Sequence, residues 1–155
     1  MSQATGGSTE LAATKPPPIC RDVSMPPSIS RLRRHANRDQ NGCCFYCGEP
    51  LWEPTEEADA EFARRIGLTR RQARRMLCTA EHLHPRCDGG RDTPTNIVAA
   101  CLTCNRRRHA QPCPPDWKAY RRRVRSRLAL GKWHASGRLS CRDAHTADEH
   151  YDAAK

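Results

Sequence analysis

Two Cys-x2-Cys pairs, Cys44/Cys47 and Cys101/Cys104, carry the clearest chemical signal in the chain. Four thiolates spaced in this way can close a tetrahedral site, and zinc is the metal that such sites usually hold. We therefore predict a structural Zn2+ that brings the ends of the intervening segment together. Cys43 is an alternative to Cys44, although the two-residue spacing favours Cys44. The alternative interpretation is that the four cysteines are reduced and bind no metal.

The segment between the two pairs contains polar residues that could act on a substrate. Glu81 directly precedes His82, and a neutral imidazole near pH 7 can take a proton from water. Asn105 directly follows Cys104, so closure of the zinc site would place it near Glu81 and His82. His109 lies four residues after Asn105 and would share its helical face.

The combined pattern resembles the HNH endonuclease family over about residues 43–109. The resemblance lies in Cys44-Phe45-Tyr46-Cys47-Gly48, Glu81-His82-Leu83-His84-Pro85, Asp88-Gly89-Gly90 and the stretch from Asn96 to Asn105. It implies an α+β fold of the ββα-metal type, in which two strands, a loop and a helix surround one divalent ion. It also implies metal-dependent hydrolysis of phosphodiester bonds in DNA.

The resemblance assigns a role to each matching residue. His82 matches the general base, and Asn96 matches the asparagine that orients the loop and the histidine. Glu81 and Asn105 match ligands of the catalytic ion, with His109 as either a further ligand or a solvated helix position. Mg2+ or Mn2+ suits such a site, because both ions keep water and substrate oxygens in their shells.

One geometric objection concerns the adjacent pair Glu81 and His82. Neighbouring residues on a regular strand point to opposite faces, so both can serve one site only if the strand bends or ends there. Pro85 favours such an ending. His84 is a rival base, a phosphate contact or a plain surface residue.

The charge of the chain predicts a polyanionic partner. Lys and Arg number 27 against 17 Asp and Glu, for a net charge of +10. The first candidate for this partner is nucleic acid, here DNA. The alternative explanation is that the positive charge only keeps the protein soluble. We expect the phosphate contacts to come from five arginines: Arg106, Arg107, Arg108, Arg121 and Arg122. The rivals to the nuclease are a catalytically inactive zinc-containing DNA-binding module and a zinc scaffold for another protein.

The sequence also indicates the cellular location of the protein and the state of its other cysteines. No signal peptide or membrane-spanning apolar run is present, so we expect a cytoplasmic, reducing location without a membrane partner. No small-molecule substrate is expected. The default for Cys20, Cys78, Cys87, Cys113 and Cys141 is a free thiol, with a second metal or a bond between Cys78 and Cys87 as the alternative.

The elements that must position these residues can be outlined from local signals. Residues 1–30 read as a disordered Pro-rich leader, 31–134 as the nuclease domain and 135–155 as a flexible tail. Strands are predicted at 77–83 and 96–100, followed by a helix over 101–110. The insert 55–78 should form two helices, with Thr69 and Gln72 as a capping box. A basic helix over 116–130 should begin at Asp116 and pack an apolar stripe on the domain.

Overall fold

The computed structural model describes residues 27–134, which form an α+β domain. Its helices are α1 (Ile29–Asp39), α2 (Asp59–Arg65), α3 (Arg70–Ala73), α4 (Leu102–Arg108) and α5 (Trp117–Ala129). Its strands are β1 (Cys78–His82) and β2 (Ile97–Cys101), and short 3-10 turns lie at Arg74–Met76 and Arg86–Asp88. The predicted fold class is confirmed.

The two strands and α4 form a continuous ββα unit. β1 and β2 pair antiparallel, with a register that runs from Cys78 opposite Cys101 to His82 opposite Ile97. Every residue of β2 is buried, as expected for a short apolar strand covered on both faces. The helix starts at the residue after β2, where the Sγ of Cys101 accepts a hydrogen bond from the backbone N–H of Cys104. The order strand, loop, strand, helix agrees with the prediction.

Helix α1 was missed, because residues 31–38 read as a basic run that follows a leader. The helix begins earlier, with Ser28 as its cap, so Ile29 and Ser30, which the prediction placed in the leader, are helical. Just beyond α1, the side-chain amide of Gln40 pairs with Ala99 at both its N–H and its C=O. Gln40 thus accepts from the Ala99 N–H, which points away from β1, and shares the Ala99 carbonyl with the backbone N–H of Phe45. The rest of the predicted leader and the tail 135–155 lie outside the described residues.

Helices α3 and α5 begin at the capping residues that the sequence predicted. Thr69 and Gln72 form the predicted capping box at the start of α3, and the carboxylate of Asp116 caps α5. In α5, Tyr120 and Val124 are buried in the core, with Trp117 and Leu128 packed partly against it. Within residues 27–134, none of the helices has the length and apolar character needed to span a membrane.

Candidate metal centre and catalytic site

Four cysteines converge where a turn meets the junction of β2 and α4. The Sγ atoms of Cys44, Cys47, Cys101 and Cys104 all lie within 4.8 Å of one another, and those of Cys47 and Cys101 are 3.9 Å apart. A tetrahedral zinc ion with Zn–S bonds of about 2.3 Å would separate its sulfurs by roughly 3.8 Å. The four cysteines are therefore positioned to bind a metal ion. The set contains Cys44, as the spacing predicted.

The surroundings of this cysteine cluster suit thiolates. The backbone N–H of Cys101 donates to Cys44 Sγ at 3.2 Å, and that of Cys104 donates to Cys101 Sγ at 3.3 Å. Burial raises the pKa of the Cys47 and Cys104 thiols, whereas for Cys44 burial is outweighed by the hydrogen bonds with the other three cysteines, which lower the pKa. Cys44, Cys101 and Cys104 are buried and Cys47 is partly buried, so four thiolates here need a cation among them, which is what a divalent metal ion supplies.

Trp133 covers one side of the cluster. Its indole Nε1–H donates to Cys104 Sγ at 3.3 Å, and the residue is 6% exposed. The guanidinium of Arg107 lies 4.5 Å from the ring centroid and donates to the Trp133 carbonyl at 2.8 Å. The segment that follows α5 is thus fastened over the sulfur of one proposed ligand.

The remaining described cysteines that were expected to be free are free. Cys78, Cys87 and Cys113 are unbonded thiols, so Cys78 and Cys87 do not form a disulfide. Cys78 is buried, and burial raises the pKa of its thiol. Cys20 and Cys141 lie outside the described residues.

The carboxylate of Glu81 is the centre of a buried polar network. Its side chain is 1% exposed, and its Oε1 accepts hydrogen bonds from Arg108 and, at 3.0 Å, from the hydroxyl of Tyr46. Its Oε2 lies 3.1 Å from Nε2 of His109, which is 36% exposed. His109 Nε2 also lies 3.2 Å from Oε1. The carboxylate therefore has Oε1 fixed from inside the domain, while both of its oxygens lie beside a partly exposed imidazole.

Arg108 is committed to the interior of the domain. It is 1% exposed, and besides Glu81 it donates to the carbonyls of His82 at 2.7 Å and Leu83 at 2.9 Å. These carbonyls belong to the last residue of β1 and to the residue that follows it. Arg108 therefore joins the end of the strand to the end of α4 and neutralises a carboxylate that would be costly to bury alone.

His82 emerges from the other side of the same strand end. Its side chain is 12% exposed, and its Nε2 lies 2.7 Å from Oδ1 of Asp92. Arg86 holds the same carboxylate with two hydrogen bonds, of 2.9 and 2.7 Å, and approaches His82 Nε2 at 3.2 Å. β1 ends at His82, so the adjacent Glu81 and His82 face different surroundings at that end.

Asn96 fastens the loop between the strands. Its Oδ1 accepts from the backbone N–H of His84 at 2.8 Å, and its Nδ2 donates to the carbonyls of His84 at 3.1 Å and Arg91 at 2.9 Å. His84 itself is exposed and lines a groove of about 460 Å³ beside the loop.

The two glycines of the loop have different reasons to be glycine. Gly89 has a φ of 87° in a left-handed turn, with open space where a side chain would go. Gly90 has no such space, because an added Cβ would lie 1.9 Å from the carbonyl oxygen of His84. The loop therefore packs backbone against backbone directly beside the candidate site.

The predicted ligands of the catalytic ion are only partly gathered. Glu81 Oε2 and His109 Nε2 are 3.1 Å apart, close to the roughly 3 Å between neighbouring ligands of an octahedral ion with bonds of about 2.1 Å. Asn105 lies one helical turn before His109, and its Nδ2 donates to Thr79 Oγ1 and to the Ala80 carbonyl, each at 3.0 Å. Its Oδ1 is the atom that could ligate. Of the predicted ligands, the structure thus brings Glu81 and His109 together.

The five arginines predicted to contact nucleic acid divide by burial. Arg106, Arg107 and Arg122 are exposed, whereas Arg108 is buried in the network of Glu81. Arg121 is 9% exposed, with its guanidinium 4.3 Å from the ring centroid of Phe45. In this structure the surface available to phosphates therefore includes Arg106, Arg107 and Arg122, but not Arg108.

Sequence reasoning missed three partners of the site. They are Tyr46 and Arg108 on Glu81, and Asp92 on His82. Spacing did offer one signal: Cys104 and Arg108 lie four apart on α4, so a helix that turns Cys104 inward turns Arg108 inward as well. No comparable signal marks Asp92, because its contact depends on the shape of the loop.

Comparison with known proteins adds one match. Residues 69–111, which include β1, the loop, β2 and α4, match the family described as HNH endonuclease. No curated protein and no solved structure matches the chain. The matched residues contain Glu81, His82, Asn96 and Asn105, so the match falls on the residues that the sequence pattern singled out.

Proposed function

Because residues 69–111 match the HNH endonuclease family, we propose that the protein is a metal-dependent endonuclease that hydrolyses phosphodiester bonds in DNA. The observation that carries the proposal is the arrangement at the end of β1. There the imidazole of His82 is held by a carboxylate, while the neighbouring Glu81 meets His109 at 3.1 Å. A proton acceptor and one metal donor thus lie on successive residues, and a second donor lies beside the first.

His82 is the general base in this proposal. It accepts a proton from the water that attacks phosphorus in line with the leaving oxygen. Asn96 fixes the loop beyond His82 through its bonds to the backbone of His84. Arg108 and Tyr46 orient the carboxylate of Glu81 through Oε1.

Two kinds of metal ion fit the residues. Glu81, His109 and Asn105 would hold Mg2+ or Mn2+, which when bound would neutralise charge that develops on the phosphate. Cys44, Cys47, Cys101 and Cys104 would hold Zn2+ as a structural ion. Because Asn105 directly follows Cys104, the zinc cluster would position the catalytic helix without taking part in the chemistry.

Electrostatics would bring DNA to the site. The net charge is +10, and α4 and α5 expose Arg106, Arg107 and Arg122. Arginines on these helices would contact phosphates without reading sequence, so affinity should fall steeply as salt rises. A zinc scaffold that binds another protein predicts no such dependence.

One observation favours the alternative of an inactive zinc-containing DNA-binding module. The buried ion pair between Arg108 and Glu81 already neutralises the carboxylate that the catalytic ion would need. If that pair is purely structural, the protein would bind DNA without cleaving it.

A plasmid-nicking assay separates the two functions. Zinc-loaded protein is incubated with supercoiled DNA and either Mg2+ or Mn2+, alongside His82→Ala and a matched control, His35→Ala. His35 is exposed on α1 and pairs with Asp39. We expect nicking by the wild type and the control and a loss of roughly 100-fold or more in His82→Ala. Absence of nicking by the wild type, or equal nicking by His82→Ala, would refute the nuclease.

A further inference from the structure

Asp92 sits at the centre of a polar cluster in the loop between the strands. Its Oδ1 lies 2.7 Å from Nε2 of His82, and Arg86 binds both of its oxygens. The histidine side chain is 12% exposed and that of Asp92 35%. A contact this short, at a largely sheltered imidazole, fixes the orientation of the ring.

The chemistry of the two groups decides which atom carries the proton. Asp92 is ionised near neutral pH, since the hydrogen bond with His82 and then that with Arg86 lower the pKa of its carboxyl below the ordinary value. A carboxylate can only accept hydrogen bonds. Two acceptors would repel each other at 2.7 Å, so Nε2 of His82 must carry a hydrogen and donate it.

Arg86 does not overturn this assignment. Its Nε lies 3.2 Å from the same Nε2, and a bond there would need a lone pair on that nitrogen. The contacts of its Nη2 with Asp92 are shorter, at 2.7 and 2.9 Å, and join opposite charges. Arg86 therefore holds the carboxylate in place, and its position near His82 follows from that.

We infer that Asp92 is a positioning residue that fixes His82 as the Nε2–H tautomer, so that Nδ1 is the nitrogen that accepts the proton from water. In a neutral imidazole, a hydrogen on Nε2 leaves the lone pair on Nδ1. The inference deepens the proposed nuclease function and rests on it for the catalytic role of Nδ1. The tautomer itself can be measured without any cleavage.

The first measurement is a nitrogen NMR spectrum of zinc-loaded protein labelled with 15N at histidine. It is recorded at a pH where the histidines are neutral, and the His82 signals are identified by their loss in His82→Ala. We expect Nε2 of His82 to be protonated in the wild type. Asp92→Asn should lose this preference, because an amide can donate to a lone pair as readily as it accepts from N–H.

Two matched variants isolate the carboxylate. Asp88→Asn makes the same change of charge at an exposed aspartate of the same loop, and it should leave the tautomer unchanged. Arg86→Gln removes the other partner of Asp92 but keeps the carboxylate, so His82 should keep Nε2–H. A changed tautomer in Asp88→Asn as severe as that in Asp92→Asn would show that the loop charge, and not the contact, matters.

The second measurement is single-turnover nicking under saturating protein. Asp92→Asn should slow cleavage about 10- to 100-fold with little change in DNA affinity, as is usual when a partner that orients a functional histidine is removed. Asp92→Glu should recover part of the rate, since it restores a carboxylate. Asp88→Asn should cleave at the wild-type rate.

The experiments can refute the inference about Asp92 and the proposed nuclease function independently of each other. An Nδ1–H tautomer in the wild type, or an unchanged tautomer and rate in folded Asp92→Asn, would overturn the inference even if the protein cleaves DNA. A wild-type protein that does not cleave would refute the proposed function and the catalytic role of Nδ1, while the spectra would still decide whether Asp92 fixes the tautomer.

Discussion

Replacement of Gly90 by alanine tests how tightly the loop sets the candidate site. A Cβ at this position would lie 1.9 Å from the His84 carbonyl oxygen, 2.7 Å from its carbon and 2.9 Å from the Pro85 oxygen. All three are backbone atoms, so none can rotate away. Since contacts of a Cβ below 3.0 Å essentially never occur, the His84 carbonyl must retreat by about 1.1 Å.

That retreat acts directly on the site. The same carbonyl accepts the hydrogen bond of Asn96 Nδ2 at 3.1 Å, and His84 lies two residues after His82. A misplacement of about 1 Å near a reacting group can cost roughly 100-fold in rate. We therefore expect Gly90→Ala to slow cleavage on the order of 100-fold and to lower stability by about 1–3 kcal/mol through overpacking.

Gly89→Ala is the matched control within the same turn. Gly89 has a φ of 87°, and nothing lies within 4 Å of the position that a Cβ would take. Alanine there is therefore strained by about 1–2 kcal/mol but displaces no neighbour. Thermal unfolding and single-turnover nicking are measured on both variants at a temperature where both remain folded. Equal cleavage rates in Gly90→Ala and Gly89→Ala would refute the claim that the close approach of Gly90 sets the site.

Four further predictions concern stability and binding. Cys101→Ser, or removal of metal by a chelator, should release the bound ion and unfold the domain, and full zinc occupancy in Cys101→Ser would contradict the ligand set. Arg108→Met should lower the free energy of unfolding by about 3–5 kcal/mol, because the buried Glu81 carboxylate loses its guanidinium partner and keeps only Tyr46 and His109. Arg106→Ala should leave stability nearly unchanged but reduce the salt slope of DNA binding by about one. Asp59→Asn should remove a pH-dependent contribution, because Arg74 and Arg70 lower the pKa of the Asp59 carboxyl. That contribution is present above the unfolded-state value of about 4 and lost as pH falls through the lower folded-state value, so denaturation curves of wild type and variant should converge in acid.

The sequence predicts the ββα unit and the cysteine cluster because both follow from local rules. The thiol pairs have fixed spacing, and the apolar run that becomes β2 is followed at once by a helix start. Helix α1 was missed for a local reason too: only Leu32 and Asn37 are buried in it, so its apolar stripe is thin and its arginines dominate the composition.

The contacts that hold the candidate site could not be predicted from local sequence patterns. Arg108 stands among three successive arginines and reads as solvent-exposed, yet it is buried because the end of β1 presents it with a carboxylate and two carbonyls. Asp92 reads as one more polar loop residue, and only the path of the loop brings it to His82. Such contacts join residues far apart in sequence, which composition and periodicity do not report.

The covering of the cysteine cluster by Trp133 has a kinetic consequence. Its indole donates to Cys104 Sγ and is held in place by Arg107, so from that side a chelator or a competing ion reaches Cys104 only when the segment after α5 detaches. The residence time of a bound ion would then depend in part on a local opening of that segment. Exchange of a bound ion would accordingly quicken whenever the end of α5 is loosened.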